Sequence, residues 1–142
     1  MANVIYNSFM RDIAIGAVDV DTDTFRVMLV GAAYTENADT HTKRSDVTSE
    51  VSGTGYTAGG AVTTASVSAV DAANNRVTLT FGAVSWPTST ITARKAVIYK
   101  SRGGATNLDE LVACVDFGTD QVSSNGTFSL SASTIQLNNQ NA

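Results

Sequence analysis

The sequence predicts a mainly β chain, a β-sandwich or jelly-roll-like fold with a short N-terminal helix or arm. Three observations carry this. Residues 24–31, Thr-Phe-Arg-Val-Met-Leu-Val-Gly, read as a central strand: Phe25, Val27 and Leu29 point one way, Arg26, Met28 and Val30 the other. Residues 76–81 and 91–100 alternate in the same manner, and turn signals recur every 8 to 12 or so residues, as in sandwiches and barrels. Only 15% of the residues are charged, and the Ser, Thr, Asn, Ala and Gly that fill the gap favour strands and turns. A strand apolar on both faces needs cover on both, which a helix before it and strands after it can supply as one layer each.

In chain order, residues 3–17 carry a helical period through Ile5 or Tyr6, Phe9 or Met10, Ile13 and Ala17, with Arg11 and Asp12 opposite and Gly16 placed to end the element. An extended arm over 1–18 that a partner orders is the competing reading. Asp19, Asp21 and Asp23 start like a calcium loop, but Thr24 stands where the turn glycine belongs and Val30 where the bidentate Glu belongs, so a solvated acidic turn is expected. Residues 33–60 show no period of a strand or helix and read as one long loop, with a single helical turn within 39–47 and a glycine-rich turn at 53–60. No Gly-Lys-Ser/Thr ending follows, so this is not a phosphate loop.

After residue 60 the chain reads as hairpins: a weak strand to Val70, a turn at 71–75, the strand 76–81, and a stop at Ser85-Trp86-Pro87 because proline donates no ladder bond. The strand 91–100 places Val97 and Tyr99 on one face and Ala96 and Ile98 on the other, its charged start Arg94-Lys95 projecting beyond the core. A polar turn at 101–109 leads to its partner 111–117, and one or two last strands cover 128–130 and 135–137. Residues 138–142 read as a loose tail. All 142 residues form a single domain long enough to bury a core.

A net charge of -4 and a pI near 4.7 argue against a nucleic-acid binder, which needs a cationic face. Nothing approaches the ~20 apolar residues of a membrane span. Residues 1–18 lack the pattern of a signal peptide, so a chain folded in a cytoplasm is expected. Cys114, alone in an apolar run, reads as a small buried hydrophobe. His41 is the only histidine and sits in a polar loop, and Asp109, Glu110 and Asp116 read as turn carboxylates. The chain is read as no enzyme, with no cofactor and no metal. The candidate interface residues are Tyr34, His41, Lys43, Arg44, Tyr56, Trp86, Arg94, Lys100 and Arg102. The aromatics suit core-edge packing or a protein interface before sugar stacking, and the cations, Lys95 among them, suit a solvated face or an acidic neighbour.

Four motifs carry a resemblance: Asp-Thr-Asp-Thr-Phe-Arg-Val-Met-Leu at 21–29, His-Thr-Lys-Arg-Ser-Asp-Val at 41–47, Gly-Tyr-Thr-Ala-Gly-Gly at 55–60, and Ala-Val-Ile-Tyr-Lys with Leu-Val-Ala-Cys-Val-Asp-Phe-Gly within 96–118. In order and over most of the chain, they resemble small virion structural proteins of tailed bacteriophages. Within that group the size and β pattern are similar to capsid cement or decoration proteins. The resemblance implies a jelly-roll-like dimer, made in the bacterial host cytoplasm, that binds the major capsid protein at the capsid surface and stabilises the shell. A tail or head-tail component, or a carbohydrate-binding surface module of the virion, is the alternative. No catalytic residues come with the family. Low-charge, Thr-rich strand edges also favour self-association as a dimer, and loop 33–60 with the N-terminal segment is the expected capsid contact.

Overall fold

The computed structural model describes residues 3–139. Among them are eight strands and one α-helix: β1 (Asn3–Ile5), α1 (Asn7–Ala14), β2 (Phe25–Val30), β3 (Ala61–Thr63), β4 (Ala65–Val67), β5 (Arg76–Phe81), β6 (Val84–Lys100), β7 (Leu111–Leu130) and β8 (Ser133–Asn138). They build two antiparallel sheets, one in the order β1-β7-β6-β2-β3 and one in the order β4-β5-β8, and so a β-sandwich.

The two-faced strand does what its pattern requires. Phe25, Val27 and Leu29 enter the main core between the sheets, with Leu79 and Phe81 of β5, Ile135 of β8, and Ile91, Ala96 and Ile98 of β6. Met28 and Val30 enter a second core with Tyr6, Tyr34, Val97, Tyr99, Leu111 and Cys114. The alternation read over Ala96–Tyr99 is observed, and Cys114 is buried, which pushes its thiol up to about 12. The layers are divided differently from expectation. Phe9 of α1 packs into the main core with the small sheet, whereas Tyr34 and Val47 of the long loop close the second. The middle strand of the large sheet is β6, with β2 beside it.

Six expectations are corrected. Residues 3–5 form a strand and not the start of the helix, because Asn3, Val4 and Ile5 pair with Val115, Cys114 and Ala113. A free sheet edge offers them backbone partners that a helix start lacks. Gly16, at φ +77°, does follow the helix, but Asp12 is buried beneath it and not on the outer side. Pro87 does not end a hairpin: β6 runs through it. The Trp86–Ser89 register shift and the positive φ of Thr88 absorb the missing donor, as a bulge does. Residues 111–117 and 128–130 are one strand, β7, paired with β6 along its length. Lys95 does not project. It is 9% exposed, and its ammonium meets Glu36, the Tyr34 carbonyl at 3.0 Å and Asp116 at 3.9 Å. The expected tail begins in order: Asn138 ends β8 and Asn139 N–H donates to the Asn75 carbonyl at 2.8 Å, while residues 140–142 lie outside the described residues.

The long loop holds one 3₁₀ turn, Arg44–Asp46, inside the stretch where a helical turn is expected. Its glycine turn is fixed by close approach. A Cβ on Gly60, whose φ is +75°, would lie 1.7 Å from the Val27 carbonyl oxygen. Gly16 has a similar φ and open space around it. Gly16→Ala is therefore expected to cost about 1 kcal/mol for backbone strain alone, and Gly60→Ala at least about 3 kcal/mol because β2 must also shift. Urea unfolding of the two variants checks this, and equal losses would contradict it.

Candidate functional site

The candidate residues of the long loop do not stand free. Lys43 and Arg44 flank the start of the 3₁₀ turn, whose Asp46 carboxylate accepts from the Thr42 and Lys43 N–H groups at 2.8 and 3.0 Å. Those two bonds hold the Asp46 carboxyl below its usual range. The turn points both cations at Asp109 and Glu110, 1% and 3% exposed at the start of β7. Arg44 Nη1 lies 3.4 Å from Asp109 Oδ2, and Lys43 Nζ 3.3 Å from Glu110 Oε1. Arg102 grips Glu110 from the other side, Nη2 to Oε1 at 2.6 Å and Nε to both oxygens at 3.0 Å. Its N–H donates to Asp109 Oδ1 at 2.8 Å.

The acidic neighbour weighed for the cations is thus inside the chain. Sequence reading missed Asp109 and Glu110 as its carboxylates, because a polar Gly-Gly turn precedes them and nothing in their spacing marks burial. The one local signal is the switch from turn to apolar run at Leu111. Backbone bonds reinforce the joint: Arg44 N–H donates to the Asp109 carbonyl at 2.9 Å and Leu111 N–H to the Thr42 carbonyl at 3.1 Å. Lys100 reaches elsewhere, to Asp23 Oδ2 and the Ala17 carbonyl, each at 2.7 Å. Asp23 also accepts from Asp19 N–H, so the acidic turn is closed on itself and on β6.

Arg44 continues inward, its guanidinium 5.0 Å from the centre of the Tyr99 ring, and Tyr99 donates to the Gly59 carbonyl at 2.6 Å. Tyr56 donates to Glu50 Oε1 at 2.8 Å and accepts from Leu29 N–H at 3.0 Å. Burial raises the pKa of Tyr56, as it does that of Tyr6. Tyr34, 1% exposed, receives the Tyr6 hydroxyl at 2.8 Å and stacks on His41. Its hydroxyl lies 3.0 Å from His41 Nδ1, and Asn37 N–H donates to the same nitrogen. That backbone donor assigns Nδ1 as an acceptor. Burial pushes the Tyr34 hydroxyl up to about 12. Trp86 is 4% exposed between Tyr56 and Phe128. Among the aromatics, core packing is the outcome for Tyr34 and Trp86. Arg94 pairs with Asp120 at 2.9 Å on the far part of the β6–β7 hairpin and is not brought to this cluster.

The cluster fastens a loop. α1, the loop and the turn 101–108 adjoin, Asn7 N–H donating to the Ala38 carbonyl at 3.0 Å and Arg102 Nη2 to the Ala17 carbonyl at 3.2 Å, and on these elements Met10, Ile15 and Leu108 are more than half exposed. No protein family, no curated protein and no solved structure matches the chain.

Two outcomes follow from the ion pairs. Replacing Lys43 and Arg44 together by Ala leaves two buried carboxylates short of cations, so a loss of about 2 to 4 kcal/mol of stability is expected. Chemical denaturation reads it; a change within error would show the pairs to be solvated and weak. Burial raises the Glu110 pKa, but hydrogen bonds from Arg102, the backbone and Lys43 outweigh it and hold the carboxyl below its ordinary value. A depressed folded pKa gives stability that is present above the unfolded value of about 4.3 and lost as pH falls through the folded one. Burial shifts Asp12 the other way. Glu110→Gln should therefore be less stable than the parent at neutral pH and lose less stability on acidification, read from the difference between the two pH-stability curves.

Proposed function

We propose that the chain is a structural protein of a bacteriophage virion, a cement or decoration protein that binds the major capsid protein on the outside of the shell and stabilises it. The observation that carries this reading is that the four motifs bearing the resemblance pack against one another. Arg26 of the first donates to the Gly60 carbonyl of the third at 2.7 Å. Arg44 of the second lies over Tyr99 of the fourth, whose hydroxyl reaches Gly59 of the third. Resemblance concentrated in mutually packed residues is resemblance of a scaffold. The groups a hydrolytic reading would need are occupied in that scaffold, Asp109 and Glu110 by cations and His41 Nδ1 by its hydrogen bonds. The buried Trp86 and Tyr34 rings offer no stacking face to a sugar.

The docking surface is the pole formed by α1, the outer side of the loop and the turn 101–108, with Met10, Ile15 and Leu108 as apolar contacts and Arg102 at the rim. Tyr34 and Tyr56, being committed to the core and its edge, are not its anchors. A protein that binds only the assembled shell raises shell stability by mass action.

The test adds purified protein to shells lacking it and measures occupancy by sedimentation. Met10→Glu with Leu108→Glu is expected to fold and to lower occupancy about tenfold or more, since each apolar anchor is worth on the order of 1 to 2 kcal/mol. Val70→Glu, at an exposed position in the loop between β4 and β5, should bind like the parent. Parent-like occupancy of the double variant removes this pole as the docking surface, and a parent protein that binds tails but not shells removes the capsid assignment.

A further inference from the structure

The two sheets are unequal, and the shortfall lies at one side. Among the described residues the small sheet stops at β8, whereas the large sheet continues to β7 and β1. Between β1, β7 and the start of β8 lies a cleft of about 740 Å³. Its ceiling comes from cross-strand neighbours: Ile5 beside Ala113 and Asn3 beside Val115, with Phe117 next along the same face of β7. Phe128 and Ile135 line its inner end. Ile5 is 41% exposed and Val122 69%.

Charge separates this cleft from the rest of the molecule. None of its nineteen lining residues is Asp, Glu, Lys, Arg or His, and the carboxylates nearest in sequence on the approach to β7, Asp109 and Glu110, are held by Arg44 and Lys43. An ionised occupant would lose its hydration there with no countercharge to meet it. Strand edges border the opening. β8 ends its sheet without a charged residue or a proline to block pairing, and β1 pairs with only residues 113–115 of β7.

We infer that the cleft is a strand-acceptor site. It takes one extended, uncharged segment of a partner protein, about the six-residue length of β8, which adds to the free edge of β8 and turns alternate apolar side chains under Ala113, Val115 and Phe117. Backbone hydrogen bonds of the added strand satisfy the edge, and the alternation reads the apolar ceiling. The occupant is neutral because the lining is neutral. It is extended because a sheet edge bonds a strand and because the cleft reaches that edge at Ser133, Thr134 and Ile135. This inference does not rest on the virion reading: any partner carrying such a segment meets it.

The experiment follows backbone amide resonances of the full-length protein as capped hexapeptides are added, a set alternating Val, Ile or Leu with Thr and a control set alternating Val with Lys. The neutral set is expected to shift the amides of 133–138 and 113–122 and to slow their hydrogen exchange, with the Lys set binding on the order of tenfold more weakly or worse. Val122→Glu and Thr134→Glu, both at exposed positions, should keep the parent spectrum elsewhere and weaken the neutral peptides by a similar factor. Equal binding of both sets, shifts confined to other strands, or no shift with any neutral peptide would overturn the inference. Shifts at 113–122 and 133–138 on concentrating the protein alone would assign the cleft to a second copy, and saturation by an apolar small molecule such as a fatty alcohol with no response to peptide would make it a small-molecule site. Either result overturns the strand-acceptor assignment. Failure of the shell-binding test leaves these outcomes unaffected.

Discussion

Burying both faces of Phe25–Val30 forces the molecule to find two different covers for one strand, and most of the architecture answers that demand. The small sheet and Phe9 cover the Phe25, Val27 and Leu29 side. The Met28 and Val30 side is covered by side chains of an irregular segment, Tyr34 and Val47. An irregular segment brings unpaired backbone groups with it, and burying those without partners is costly. Here they are met one by one. Gly31 N–H donates to the Ser49 carbonyl and Val51 N–H to the Leu29 carbonyl, and the Glu50 carboxylate accepts from Tyr56 and from Gly59 N–H.

The buried carboxylates belong to the same solution. Two ionised groups at 1% and 3% exposure would be expensive alone. Three cations from two separate segments, Lys43 and Arg44 from the loop and Arg102 from the turn before β7, neutralise them. A well-packed apolar joint would hold the loop as tightly. The ionic one adds geometry: Arg102 engages Glu110 in a bidentate manner, and Arg44 spans Asp109 and the Tyr99 ring, so the loop has a fixed seat.

This arrangement divides the molecule into two unlike regions. One is dense in compensated charge, with a few exposed apolar residues on α1 and near the 101–108 turn. The other is an uncharged opening between two sheets of different width. A shell-binding role uses the first, and an added strand uses the second. The two surfaces are built from different elements and carry different chemistry.

How far the sequence reached depends on how local each determinant is. The two-faced strand, the alternation at 76–81 and 96–99, the long loop with its glycine turn, the burial of Cys114 and the two-sheet β fold were legible, because side-chain direction in a strand is fixed by a period of two and positive-φ turns favour glycine. Tertiary structure alone decided the rest. Asn3–Ile5 became a strand because β7 presented an edge. Pro87 stayed within β6 because a bulge absorbed its missing donor. Lys95 turned inward because Glu36 and the Tyr34 carbonyl, about sixty residues away in sequence, converged on it. The candidate cations found their acidic partners inside the chain for the same reason: charge type is written in the sequence, but which charges lose their water together is set only when distant segments meet.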